Sequence, residues 1–459
     1  MNPFEQLKIS QFKRVYFIGI GGIGMSALAR YFKSIGLQVS GYDKTPSDLT
    51  TKLIAEGISI HFEDKGEQIG AEFHEIESTL VVYTPAIPIN MGELCFFKEH
   101  QSILLKRSEV LGLLTRHSLG LGVAGTHGKT TTSSMLAHIM NQSSEKCNAF
   151  LGGIATNFES NLLLNENSKY TVIEADEFDR SFLQLSPFAS IVTSTDPDHL
   201  DIYGDKNHFL EGFQKYTALI HPNGCLVEKE GLDLPTKAHK ITYAIQSKTA
   251  DFRGENVRFE NGKFLMDIQT KDRFWEAVEL NIPGIHNAEN ALACVALLSF
   301  LGVSEQEIRS GLASFKGVKR RFEYQIKTEN LIYIDDYAHH PTELNALISS
   351  IKMLYPTKKI IGAFQPHLFS RTRDFFDAFA EELSQLDELI VLPIYPAREL
   401  PIEGITSNVL LEKITLEQKQ LLDAKTCLAY LSKIQEGVIL TIGAGDIDRI
   451  VEPLKIALS

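Results

Sequence analysis

LGLGVAGTHGKTTTSSMLAHIM, residues 119–140, is the stretch whose reading decides the fold. Its apolar opening (119–124) reads as a buried strand, GTHGKTTT (125–132) as a loop, and TTTSSMLAHIM (130–140) as the helix that follows. Strand, glycine turn and helix in succession form the first half of a parallel crossover unit, so an α/β fold with a mainly parallel sheet is expected. The same loop carries chemistry. Gly125 and Gly128 free the backbone amides to wrap an anion, with Thr126, His127 and Thr131 completing the turn. Lys129 can bridge the β- and γ-phosphates of a nucleotide, and the Thr130 hydroxyl can reach Mg²⁺. Val123 stands where a full Walker pattern has its first glycine. A G-K-T turn between a buried strand and a helix still points to a triphosphate, and ATP with Mg²⁺ is the expected occupant.

Downstream, YTVIEAD (170–176) and ASIVTSTD (189–196) read as strands ending in acidic residues. Strand C-termini of a parallel sheet face the ligand crevice, so Glu174, Asp198 and His199 are placed to converge on Lys129 and Thr130. Oxygen donors at such positions suit Mg²⁺, while His199 by itself reads more readily as a hydrogen-bonded structural histidine than as a ligand. The remaining carboxylates of EADEFD (174–179) read as solvated loop and capping groups. Residues 225–282 are poorer in helical pattern and suggest a small β-rich insertion. In GIHNAENAL (284–292), Asn287 and Asn290 lie one helical turn apart, suited either to reading a nucleotide or, for Asn287, to capping the helix.

Upstream, FIGIGGIGMSALA (17–29) sets Gly19, Gly21, Gly22 and Gly24 between a strand and a helix. Such a turn accepts a diphosphate at the helix N-terminus, and Asp43 closes the next strand where a ribose-binding carboxylate belongs. NAD and a UDP diphosphate fit this turn equally well, and a tight turn without a ligand is a third possibility. The last third contains NLIYIDDY (330–337), KKIIGAFQP (358–366), DELIVLPIY (387–395) and GVILTIGAG (437–445), all strand-like. DDYAHHPTE (335–343) and FQPHLFSRTRD (364–374) crowd His and Arg at two strand ends, suggesting a site for a polar ligand with a carboxylate.

Composition narrows the partners. With 58 acidic against 45 basic residues the net charge is −13, which argues against nucleic-acid binding. Five scattered cysteines without a C-x-x-C pair fit a reducing cytoplasm. No uninterrupted apolar run is long enough for a spanning helix, so no membrane insertion is expected.

GIGGIGMSALA, GTHGKTTT, EADEFD, DPDHLD, GIHNAENA, RRFE, DDYAHHPTE and FQPHLFSRT follow one another across nearly the whole chain. In this set and order the sequence resembles the Mur ligases. The resemblance implies three domains: Rossmann-like 1–108 for a UDP-sugar, a central ATPase 109–318, and a Rossmann-like 319–459. It also implies ATP- and Mg²⁺-dependent ligation of L-alanine to the lactyl carboxylate of UDP-N-acetylmuramate, by a monomer or weak homodimer. At matching positions, Lys129 would hold the ATP phosphates, and Thr130, Glu174 and His199 would sit around Mg²⁺, making Lys129, Glu174 and His199 the catalytic groups. Arg321 would contact the nucleotide's phosphates, Asp336 its ribose and Asn290 the nucleotide. Tyr337, His339 and Arg371 would line the alanine, while the glycines at 19–24, with Asp43 and Thr84, would bind the UDP-sugar. Glu63-Asp64 departs from the Gly-His common in relatives. Leu368 stands where some relatives have Arg, which leaves Arg371 as the carboxylate ligand.

The implied chemistry is carboxylate activation: the γ-phosphoryl of ATP moves onto the acid, and the amine then displaces phosphate. Competing expectations are a recycling ligase that attaches a tripeptide to the same sugar, an NAD-dependent dehydrogenase, and a non-catalytic nucleotide-sugar sensor.

Overall fold

Short runs of β-branched and aromatic residues, spaced by helices, pair in parallel because each crossover helix returns the chain to the same end of the sheet. The computed structural model describes residues 7–85, 87–197, 200–397 and 399–459. Its first sheet has Arg14–Ile18 at the centre, flanked by Gln38–Tyr42 and then Ser59–His61 on one side, and by Thr79–Tyr83 and then Ile103–Lys106 on the other. All its pairings are parallel.

In the second sheet Leu119–Ala124 is central, between Tyr170–Glu174 and Pro187–Val192, again in parallel. The strands Cys225–Lys229 and His239–Ile245 continue this sheet in parallel beyond Pro187–Val192. The expected β-rich insertion is therefore, at its start, an extension of the central sheet. The three middle strands end in register: Ala175 N–H bonds to Val123 and Thr193 N–H to Ala124. Three loops consequently leave the sheet at one edge.

The chain forms two compact units, one of residues 1–255, 267–279 and 289–315, the other of 256–266, 280–288 and 316–459. Within the first unit, the helix Ile23–Ser34 joins the first two sheets. Phe32 packs on Phe17 of its own sheet, and Tyr31 meets Phe150 of the neighbouring one edge-on at 5.6 Å. Asn161, fully buried, accepts from Arg30 at 2.8 Å and donates to Ser26 Oγ and the Ile23 carbonyl.

The second unit holds a six-stranded sheet in the order Glu323–Lys327, Leu331–Asp336, Gly437–Ile442, Ile360–Phe364, Glu388–Val391, Lys419–Leu421. Only its first pair is antiparallel. Alternation along the strands divides its apolar side chains between two cores. Ile332, Ile334, Phe364 and Leu440 serve one core, and Leu331, Tyr333, Ala363 and Ile439 the other.

Asn161→Ala strands a buried guanidinium bond and a backbone carbonyl. It is expected to lower stability by about 1–3 kcal/mol, read as a shift of the first unfolding transition in urea.

Candidate active site

The loop after Leu119–Ala124 is tied to the loop after Pro187–Val192. Thr126 Oγ1 donates to the Asp196 carbonyl at 2.6 Å, His127 N–H to Ser194 Oγ at 3.0 Å, and Thr193 Oγ1 to the Ala124 carbonyl at 3.2 Å. Gly128 precedes the helix Lys129–Gln142 with φ of +80°, and a side chain there would meet Asn290 Oδ1 at 2.7 Å. Only glycine combines that backbone with that approach. The loop's shape thus rests on side chains from a neighbouring strand end and from the helix Ile285–Phe300. Thr131 turns inward and is 8% exposed. Asn287, inside the first turn of the helix Ile285–Phe300, donates to the Pro283 carbonyl at 2.7 Å, which is a local bond but not the capping role its sequence left open.

Lys129 folds back over this loop. Its Nζ donates to the Gly125 carbonyl at 2.7 Å and to Glu177 Oε1 at 2.8 Å. Glu177 is 1% exposed, so the expectation that it is a solvated loop carboxylate is wrong. Burial pushes its pKa up to about 7, against the pull of Lys129. Burial opposes the charge on Lys129, but Glu177 and Asp176 outweigh it and raise its pKa. Asp176 and Asp179 are engaged as well, with Arg107 at 3.2 Å and Lys106 at 2.9 Å. The run EADEFD is a set of ion-pair partners around the phosphate loop.

Thr130 Oγ1 donates to Glu174 Oε1 at 3.1 Å, and Gly152 N–H holds the other oxygen. A hydroxyl and a carboxylate side by side are the hard oxygen donors Mg²⁺ takes, with water and phosphate filling the remainder. The donor set fits the expected metal. No cluster of three or more His, Cys, Asp or Glu suited to a metal occurs among the described residues. His199 and Asp198 lie outside them.

At the first sheet, the amides of Gly19 and Ile20 both bond to the Tyr42 carbonyl, and Gly22 caps the helix Ile23–Ser34. Asp43 accepts from Gly21 N–H at 2.7 Å and Thr45 N–H at 3.2 Å, so its carboxylate shapes the turn. Thr84 lies against Gly19. The departure at Glu63-Asp64 has a local reason: Asp64 accepts from the amides of Gly92 and Glu93, satisfying the start of the helix Gly92–Glu99.

In the second unit, Asp336 accepts from the amides of Phe322 at 2.7 Å and Ala338 at 2.8 Å. Burial lifts its pKa to about 6, with Arg321 opposing. Arg320 and Arg321 both lie over the Tyr337 ring, at 5.1 and 4.9 Å from its centre. Tyr337 packs edge-on against His339, and His339 faces His367 at 6.0 Å. Burial, with the Arg371 charge close by, lowers both histidines to about 4, so both are neutral at pH 7. Arg371 is itself 8% exposed, in the helix Phe369–Asp374 that Leu368 begins at φ of +69°. The structure therefore brings Tyr337, His339, His367 and Arg371 together. The sequence sets His367 with Arg371 and Arg373 at the end of one strand, as part of the polar site expected there.

Three family models match in succession: the Mur ligase family catalytic domain over residues 14–118, the Mur ligase middle domain over 123–298 and the Mur ligase glutamate ligase domain over 320–445. A UDP-N-acetylmuramate–L-alanine ligase of Parabacteroides distasonis is 50% identical over 453 residues, covering 98% of each chain. One of the same name from Cytophaga hutchinsonii is 48% identical over 456 residues, again 98% of each. Among solved structures, a UDP-N-acetylmuramate-alanine ligase from Thermotoga maritima matches with a TM-score of 0.82 at 27% identity, over 96% of this chain and 98% of that one. A murein peptide ligase from Psychrobacter arcticus matches the fold with a TM-score of 0.72 at 21% identity, over 97% and 98% of the two chains. The chain belongs to the Mur ligase family.

Proposed function

We propose that this protein is an ATP-dependent ligase that joins L-alanine to the lactyl carboxylate of UDP-N-acetylmuramate during cytoplasmic assembly of peptidoglycan precursors. The observation that carries the reading is half-identity over nearly the full length to ligases of that name. The phosphate loop, with Lys129 held over it, supplies the chemistry such a reaction needs. We assign residues 1–108 to the nucleotide sugar, 109–318 to ATP and 319–459 to the amino acid and further nucleotide contacts. No helix among the described residues is long and apolar enough to cross a membrane.

A carboxylate does not lose oxide to an amine, so the acid must first be activated. The bond between the γ-phosphorus and the ADP oxygen breaks as a carboxylate oxygen bonds to that phosphorus, giving an acyl phosphate. The amine of L-alanine then forms the C–N bond, phosphate departs with the C–O electrons, and the amine proton passes to a base. Lys129 neutralises anions that would otherwise repel one another during the first step. The loop amides from Gly125 to Thr131 wrap the phosphates. Thr130 and Glu174, with His199, would hold Mg²⁺, which supplies further charge screening when bound. Asn290 and Asn287 in the helix, and Arg321 and Asp336, are assigned to the nucleotide. Gly19, Gly21, Gly22, Gly24, Asp43 and Thr84 are assigned to the UDP-sugar. Arg371 is assigned to the alanine carboxylate, in a pocket closed by Tyr337 and the uncharged His339.

Release of ADP with UDP-N-acetylmuramate should follow L-alanine and not the tripeptide L-alanyl-γ-D-glutamyl-diaminopimelate; the opposite preference would assign the chain to recycling. Lys129→Ala should lower turnover at least about 10²-fold, and normal turnover in that variant would end this assignment. For Glu174→Gln, the Mg²⁺ concentration giving half-maximal rate should rise at least about tenfold. Arg371→Met should raise KM for L-alanine about 10–100-fold, with KM for ATP unchanged. Because both pocket histidines are depressed to about 4, they stay uncharged as pH falls from 8 to 5. A plot of kcat/KM for L-alanine against pH should therefore show no histidine ionisation near 6.5.

A further inference from the structure

Arg107 follows the edge strand Ile103–Lys106 directly and opens the helix Arg107–Thr115. That is the strand end on the ligand side of a parallel sheet. On one side its guanidinium crosses the first turn of Ile23–Ser34, so close to Gly24 that a methyl group there would collide with it. On the other, Nη2 donates to Asp176 Oδ2 at 3.2 Å. Asp176 neighbours Glu177, and its charge is one of those that raise the pKa of Lys129. One guanidinium thus reaches from the glycine turn of the first sheet to the acidic loop beside the phosphate loop.

Its donors are far from exhausted. A guanidinium has five N–H groups, and among the described residues Asp176 is the one hydrogen-bond acceptor Arg107 has. Its side chain keeps 25% of its exposure, open to a ligand and only lightly screened. A substrate whose diphosphate rests on the glycine turn, and whose carboxylate must meet a γ-phosphate at Lys129, has to pass this group. A planar guanidinium grips a carboxylate through two parallel N–H bonds.

We propose that Arg107 holds the lactyl carboxylate of the nucleotide sugar and presents it to the phosphate loop, which makes it a specificity-determining residue. This rests on the ligase reading above. The test compares Kd values for UDP-N-acetylmuramate and UDP-N-acetylglucosamine by calorimetry, with a non-hydrolysable ATP analogue present. The two sugars share a diphosphate, and only the first has the carboxylate. Arg107→Met should weaken UDP-N-acetylmuramate about 10–100-fold and leave UDP-N-acetylglucosamine unchanged, with Arg107→Lys in between. Asp176→Asn, which keeps the guanidinium and removes its ion-pair partner, should retain the preference for the carboxylated sugar.

Unchanged UDP-N-acetylmuramate binding in Arg107→Met would overturn the proposal. An equal loss for both sugars would overturn it in favour of a diphosphate contact. Loss of the preference in Asp176→Asn would overturn it in favour of a structural brace. Affinity for the ATP analogue reports that each variant is folded. A wild-type protein without preference for the carboxylated sugar would instead strike the ligase reading itself, and this proposal with it.

Discussion

Lys129 and Glu177 meet at 2.8 Å with little contact with water. An unpaired ammonium in such a place would shed its proton, and an unpaired carboxylate would gain one. Glu177, with Asp176, keeps the Lys129 ammonium charged, while Lys129 only partly offsets the burial that pushes Glu177 up to about 7, so the loop has a cation ready where phosphate oxygens are expected. The pair depends in turn on three strands ending level. If Tyr170–Glu174 ended one residue later relative to Leu119–Ala124, Glu177 would no longer lie beneath Lys129.

Around that pair, charge is arranged in alternation. Asp176 faces Arg107, Asp179 faces Lys106, and Glu174 meets the Thr130 hydroxyl. A protein with a net charge of −13 can therefore receive anionic ligands, because its local cations are held in fixed places by its own carboxylates. The second unit uses burial for the opposite purpose. There two imidazoles are kept uncharged beside Arg371, which leaves the positive charge of that cluster to its arginines.

Much of this was legible in the residues alone. Strand–turn–helix units are local, their periodicity is strong, and GTHGKTTT has few other uses, so the parallel sheets and the phosphate loop could be read directly. Long-range facts could not. Nothing in EADEFD says which carboxylate is buried, because that depends on how the helix Lys129–Gln142 lies over the strand ends. Cys225–Lys229 and His239–Ile245 looked like an insertion because the connection between them has no helix, the usual mark of a parallel crossover. Arg107 passed unnoticed since its partners, Gly24 and Asp176, are 83 and 69 residues away. Glu63-Asp64 showed in the sequence only as a departure from relatives, because the amides that Asp64 satisfies, at Gly92 and Glu93, are 28 and 29 residues away.

The two adjacent aspartates at the end of Leu331–Asp336 show how tightly such a strand is constrained. Asp335, 1% exposed, accepts from Thr441 at 2.7 Å and lies 3.4 Å from Arg320. Asp336 turns to the other face and gathers the amides of Phe322 and Ala338. Deleting or inserting a single residue within the strand would swap these duties, burying the wrong acid and idling the other. The register of this one strand against Gly437–Ile442 therefore fixes which acid meets Thr441 and which gathers the loop amides.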